Sequence, residues 1–158
     1  MEIQRFKLDK PGDINLEIPL LVDHQEYEVL GLISAMEPGD YNVRVVTDHI
    51  ASNTFGRVII KGVAANGARV KVDGMIKIGK NARKTDSFLD MRILLLDKKS
   101  SAVAEPKLEI ENNDVKASHA ATVGKIDDEQ LFYLESRGVD IDEAKKLIVK
   151  GFLKDVEE

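Results

Sequence analysis

The sequence predicts a mainly β chain that closes with a helical hairpin. Three observations carry this expectation. Short runs rich in valine, isoleucine and leucine alternate with polar residues, as in "NVRVVTDH", "GRVIIKGV", "ARVKVDGMIKI" and "FLDMRILLL"; alternation turns one face of a strand inward and the other outward. The apolar positions return at a near-constant step: Val58 and Ile60 are followed about 18 residues later by Ile76 and Ile78, then by Leu94 and Leu96. Finally, the composition changes at Asp127, where acidic residues open a helical pattern.

Taken in order, residues 1–40 hold the β-leaning pieces "LEIPLLVD" and "YEVLGLISA", closed by the turn signal "EPGD". From Tyr41 the strand pattern sharpens, and Gly, Asn and Asp punctuate it at "ANGA", "VDG" and "IGKN". A second apolar series runs from Val70/Val72 to Leu89/Met91 and Leu108/Ile110, and small residues step alike through Ala64, Ala82, Ser100 and Ser118. Two interleaved series suggest stacked coils that bury their inward residues against one another, as in a parallel β-helix. An antiparallel sandwich, with strands every 8–12 residues or so, is the rival that periodicity alone leaves open.

The last segment reads as two helices. "DDEQLFYLESRG" carries acids in its first turn, where the helix dipole favours them, and Gly138 just past its end. "DIDEAKKLIVKGFLKDV" offers Asp140 as N-cap with Glu143 three residues on, and Ala144, Leu147, Ile148, Phe152 and Val156 on one face. The expected organisation is a β core over residues 1–124 and a helical hairpin over 125–158, in one compact unit.

Composition excludes several function classes. A chain of 158 residues with 43% hydrophobic and 32% charged residues supports one globular core. The absence of cysteine removes disulfides, thiolate metal ligands and a cysteine nucleophile. A net charge of −5 argues against nucleic acid as a partner, which needs a basic patch. No apolar run approaches the roughly 20 residues that cross a bilayer, and "MEIQRFKLDK" lacks a signal-peptide core. A cytoplasmic protein without membrane contact is expected.

Local motifs offer little chemistry. "GMIKIGKN", residues 74–81, is one letter from a phosphate-binding loop, but Asn81 replaces the required hydroxyl and "MIKI" alternates as a strand. "GVAANGA", residues 62–68, reads as a corner between strands. His24 and His49 stand in charged, turn-like surroundings and are expected at the surface. The acids Asp127, Asp128 and Glu129 fit a helix N-terminus better than a cation site. No nucleophile setting or local metal spacing occurs, so an independent enzyme is not expected. His119 differs, because it precedes the change from strand to helix, where an open β edge must be covered or paired.

At this stretch a resemblance emerges. "PKLEIENNDVKASHAATVGKIDDEQLFYLESRGVDIDEAKKLIVKGF", with "GRVIIKGVAANGA" and "KTDSFLDMRILLLD" upstream, resembles the SufB/SufD family of iron–sulfur cluster assembly proteins, nearer the SufD side, over roughly residues 54–154. The resemblance implies a right-handed parallel β-helix with C-terminal helices. It also implies docking of a SufC-type ABC ATPase on the hairpin, around Gln130, Tyr133, Arg137 and Leu147. Pairing through the β-helix with a SufB-like subunit, or with a second copy of this chain, is implied as well. The family's junction histidine matches His119, an interface residue and candidate iron ligand; no cofactor is expected to bind firmly, only transient iron or an iron–sulfur cluster at the junction.

The departures are specific. The SufB cysteine position falls on Ile110, and the glutamate after the histidine falls on Ala120. Family members are longer, with a helical N-terminal domain, whereas here the core pattern starts almost at Met1. The expectation is therefore a shortened, SufD-like, non-catalytic scaffold subunit. A homo-oligomeric structural protein without a cluster-building role is the alternative.

Overall fold

The computed structural model describes residues 1–157. Within them lie nine strands and two helices: β1 (Glu2–Leu8), β2 (Gly12–Leu20), β3 (Glu26–Ala35), β4 (Gly39–His49), β5 (Phe55–Ala64), β6 (Ala68–Ile78), β7 (Thr85–Leu95), β8 (Ser101–Ile110), β9 (Val115–Lys125), α1 (Asp128–Ser136) and α2 (Ile141–Glu157). Odd-numbered strands form one sheet, in the order β1-β3-β5-β7-β9, and even-numbered strands form the other. Every ladder is parallel. Parallel neighbours cannot be joined by tight hairpins, so the chain crosses to the opposite sheet between them. The result is a parallel β-helix, and the antiparallel sandwich is excluded.

The coil repeat is longer than the sequence spacing indicated. Val29 lies beside Val58, and Val58 beside Leu89, steps of 29 and 31 residues. The step of about 18 connects the inward Val58 on β5 to the inward Ile76 on β6, and then falls on Leu94, which lies on the outer face of β7; it crosses the molecule instead of climbing the stack. Both sheets bury alternate residues, so any pair of consecutive strands yields an apparent repeat of one strand plus one corner. The small-residue series is equally unstacked, since Ala64 neighbours Leu95 and Ser118 neighbours Phe88.

The inward rows form a continuous core that includes Leu20, Val29, Ile33, Tyr41, Ile60, Ile76, Leu89 and Met91. Gly74 faces this core on β6; a Cβ there would stand 2.7 Å from Leu89 Cδ2, so its small size admits the larger side chains opposite. The corners also stack. His24, Asn53 and Lys84 take positive φ angles of 64°, 57° and 54°, one per coil before β3, β5 and β7. "GVAANGA" is a corner as expected, with Asn66 at φ 59° and Gly67 at φ 81°. "GMIKI" lies in β6, so the apparent phosphate loop is strand.

Both helices are capped by the residues the sequence singled out. Asp127 accepts a hydrogen bond from the Glu129 amide at 2.9 Å. Asp140 accepts one from the Asp142 amide at 3.2 Å, while Glu143 pairs with Lys146 and does not close a capping box. Gly138, at φ 85°, donates to Glu135 O and Val139 donates to Leu134 O, the two bonds of a Schellman stop.

α2 then folds back on the outer face of the five-stranded sheet. Leu153 and Val156 pack with Leu30, Ile59 and Val63, flanked by Val149 and Phe152. The expected helix face is corrected in one place: Leu147 is 52% exposed, and Leu153 takes the buried role. The seam that meets the sheet runs Val149, Leu153, Val156, at four and three residues, and this turns Leu147 outward. No helix among the described residues is long and apolar enough to cross a membrane.

Candidate functional site

β8 and β9 are the last strands of their sheets, each paired on one side only. Residues beside one another in a parallel ladder share a face. Leu108 and Ile110 on β8 neighbour the buried Ile76 and Ile78, so they face the interior, yet they are about 40% exposed because no described coil lies over them. His119 neighbours Leu89, which is buried at 1% exposure, and so continues an interior row in the same way. Ala120, beside Asp90, belongs to the outer face. This end of the stack is thus an uncovered section through the core, its interior-facing rows exposing Leu108, Ile110, Ala121, Val123 and the His119 imidazole.

An imidazole presented on this apolar edge can donate, accept or ligate across an interface. Among the described residues no group of three His, Cys, Asp or Glu side chains converges as a metal site. His119 alone does not complete one.

The hairpin follows directly. Ile126 donates to Leu95 O, Asp127 caps α1, and only that short link separates β9 from α1. Gln130, Tyr133 and Arg137 recur at three and four residues along one stripe. Arg137 stacks on the Tyr133 ring at 5.2 Å from its centroid, and Gln130 and Tyr133 line a shallow groove of about 380 Å³ with Asp127, Glu129, Leu134 and Ile148. Leu147 is exposed next to Ile148 but is not part of that wall. Sequence reading missed Phe132, which is 71% exposed beside the stripe; in "QLFYLES" it looks like one more core residue, and only the single buried contact of α1, through Leu131, reveals otherwise.

His24 is exposed as expected, but His49 is not. Its side chain is fully buried, with Nδ1 2.8 Å from Thr54 Oγ1 and Nε2 2.9 Å from Ser87 Oγ. Burial pushes its pKa down to about 4. The signal was present: in "NVRVVTDH", strict alternation from Val43 through Val45 and Thr47 places His49 on the inward face. The charged Asp48 beside it suggested surface, but Asp48 lies on the other face of the same strand.

A parallel β-helix whose β8/β9 end exposes core-facing side chains, with a helical hairpin packed on the outer face of its five-stranded sheet, defines a β-solenoid class of protein. Residues 13–152 match the SUF system FeS cluster assembly, SufBD core domain, and the chain belongs to the SufB/SufD family. It is 35% identical over 134 residues to an iron–sulfur cluster assembly SufBD family protein of Mycobacterium leprae, covering 85% of this chain and 15% of that protein. It is 36% identical to the iron–sulfur cluster assembly protein SufD of Escherichia coli, over 74% of this chain and 28% of SufD. The match to SufB of Bacillus subtilis is also 36%, over 67% of this chain and 23% of SufB. The chain spans less than a third of the length of these relatives.

Proposed function

We propose that this chain serves iron–sulfur cluster assembly as a SufD-like, non-catalytic scaffold subunit in the cytoplasm. It pairs through the β8/β9 end with a SufB-like subunit or a second copy of itself, and docks a SufC-type ATPase through the hairpin. The observation that carries the reading is the uncovered core section at β8/β9, where an edge partner would bury Leu108, Ile110 and Val123 and enclose His119. Iron or a nascent cluster is cargo at that junction, held in part by the partner. His119 acts first as an interface residue and second as an iron ligand, because this chain has no thiolate to offer. The link from β9 to α1 gives nucleotide-driven motion of the ATPase a direct route to the junction.

Co-elution with a SufC-type ATPase, with and without ATP, tests the docking half; Phe132→Ala with Tyr133→Ala should abolish it, and failure of the parent chain to co-elute in either state would sink it. The second reading, a homo-oligomer without a cluster role, is favoured by the missing cysteine and by Ala120 in the glutamate position. Reconstitution with iron and sulfide separates the two. Under the first reading His119→Ala lowers metal uptake at an assembled junction, and under the second it changes dimerisation alone.

A further inference from the structure

His49 takes no part in edge pairing or hairpin docking, yet both nitrogens of its fully buried ring are hydrogen-bonded. It ends the inward row of β4 after Tyr41, Val43, Val45 and Thr47, and its backbone lies between the buried Leu20 and Ile78 of the flanking coils. Its ring reaches further. One imidazole joins the end of β4, the corner before β5 through Thr54, and the next coil through Ser87 on β7. Gly56 makes room for it, since a Cβ there would stand 2.8 Å from Nε2.

The hydroxyl network favours one position for the ring proton. Thr85 Oγ1 donates to Ala82 O at 2.9 Å, which uses its only hydrogen. Thr54 Oγ1 lies 2.8 Å from Nδ1, 3.3 Å from Thr85 Oγ1 and 3.4 Å from Ala51 O; because the Thr85 hydrogen is already used, the Thr54–Thr85 contact is a hydrogen bond only when Thr54 donates. With Thr54 donating to Thr85 or to Ala51 O, it accepts from the ring, Nδ1 carries the hydrogen, and Ser87 donates to Nε2. The opposite tautomer would turn the lone pairs of Thr54 and Thr85 against each other. In that arrangement the bonds run in one direction, from Ser87 through His49 to Thr54 and on to Thr85 or Ala51.

We propose that His49 is a proton-sensitive latch, which fastens neighbouring coils while its ring is neutral and releases them when it is protonated. A proton on Nε2 would meet the hydroxyl hydrogen of Ser87, which must turn away. The new charge would then have no counter-charge. The Thr54 and Ser87 hydroxyls bond the ring and Gly56 lies against it, Thr85 stands behind Thr54, and the ladder neighbours of His49 are the apolar Leu20 and Ile78. The charged residues nearby in sequence, Asp48 on β4, Lys84 at the corner and Asp86 on β7, lie on the outer side, and the depressed pKa arises from burial with no charge contributing.

Because the folded value, about 4, lies below the ordinary histidine value near 6.5, the open chain takes up the proton that the closed one refuses. The contribution to stability is full above about pH 6.5 and is lost as pH falls toward 4, a change of roughly 300-fold in the closing equilibrium for a shift of about 2.5 pH units.

Two measurements on the full chain test this. Imidazole ¹⁵N spectra should show hydrogen on Nδ1, a bare Nε2, and no titration of His49 until the pH is well below 6. A titration near 6.5, or hydrogen on Nε2, overturns the proposal. Hydrogen exchange should then show residues 49–56 and 82–88 losing protection ahead of the rest between pH 6.5 and 4.5, after correction for the intrinsic rate. His49→Gln, which keeps a donor and an acceptor but cannot titrate, should remove that selective loss; equal loss in the variant overturns the proposal. If the variant does not fold, the spectra of the unaltered chain still decide it.

Discussion

Lys61 on β5 reaches Asp155 near the end of α2, with Nζ 2.6 Å from Oδ2 and 3.0 Å from the Phe152 carbonyl. The lysine is almost fully covered while the carboxylate is two-thirds exposed. Its ammonium also lies 5.5 Å from the Phe152 ring centroid. The pair fastens the last turns of α2 to the sheet at a point 94 residues back in the chain, so it sets how firmly the hairpin is carried.

The asymmetry predicts an order of effects. Asp155→Asn should loosen α2, because a covered ammonium loses its charge partner. Adding Lys61→Met should restore much of the loss, since the straight side chain can fill the same channel against Phe152. Hydrogen exchange of residues 149–157 reads both, and a double variant looser than Asp155→Asn alone would contradict the account. The Lys61 ammonium holds the Asp155 carboxyl below its ordinary value. That contribution is full above about pH 4 and is lost as pH falls through the lowered folded value, so acid should free α2 from its C-terminal end.

Thr47 gives a prediction of opposite sign. Its hydroxyl is buried without a hydrogen-bond partner, in a row between Ile18 and Ile76. Thr47→Val keeps the shape and removes the orphan group, and should raise stability by about 1–2 kcal/mol in urea unfolding. A loss would show that the hydroxyl has a role that its surroundings do not reveal.

The fold class was legible because strand alternation and helix capping are local: Asp127, Asp140 and Gly138 do what their side chains or backbones dictate wherever they stand. The coil length was not, because Val58 and Ile76 face inward from opposite sheets while Leu94 lies on the outer face beneath α2, and apolar periodicity says neither which sheet a strand joins nor which face a residue takes. His119 was legible as an edge residue through its position at the end of the strand pattern. His49 was misread because its charged neighbour outweighed the alternation that buries it. The docking of α2 could have been anticipated from "GRVIIKGV", whose residues Ile59 and Val63 are apolar on the face opposite Val58 and Ile60, the mark of a strand covered on both sides.

Gly74 tests the close packing of the interior. An added methyl would stand 2.7 Å from Leu89 Cδ2 and 2.9 Å from Met91 Sδ. Met91 can yield, but Leu89 is held in a full row, so Gly74→Ala should destabilise by about 1–3 kcal/mol. Leu89→Val in the same chain should recover part of this, a coupling visible in a double-mutant cycle. Additive losses would mean that the contact is relieved by movement of the strand.

Lys84 is the residue least suited to its backbone. At φ 54° it occupies the left-handed region that Asn53 holds at the same corner one coil earlier. For a residue with a long side chain this conformation costs about 1–2 kcal/mol, and the Lys84 side chain is exposed. What the corner needs is the backbone bond from the Lys84 amide to Asp114 O at 2.6 Å, which any residue but proline can make. Lys84→Asn should therefore raise the urea midpoint by the equivalent of about 0.5–1 kcal/mol without changing the slope. Lys84→Gly should gain less, because glycine also frees the unfolded chain. Lys84→Val should lose stability, since a β-branched side chain tolerates positive φ poorly. An order in which valine is best would show that the corner relaxes out of the left-handed region, and that the stacking of Asn53 and Lys84 does not set its geometry.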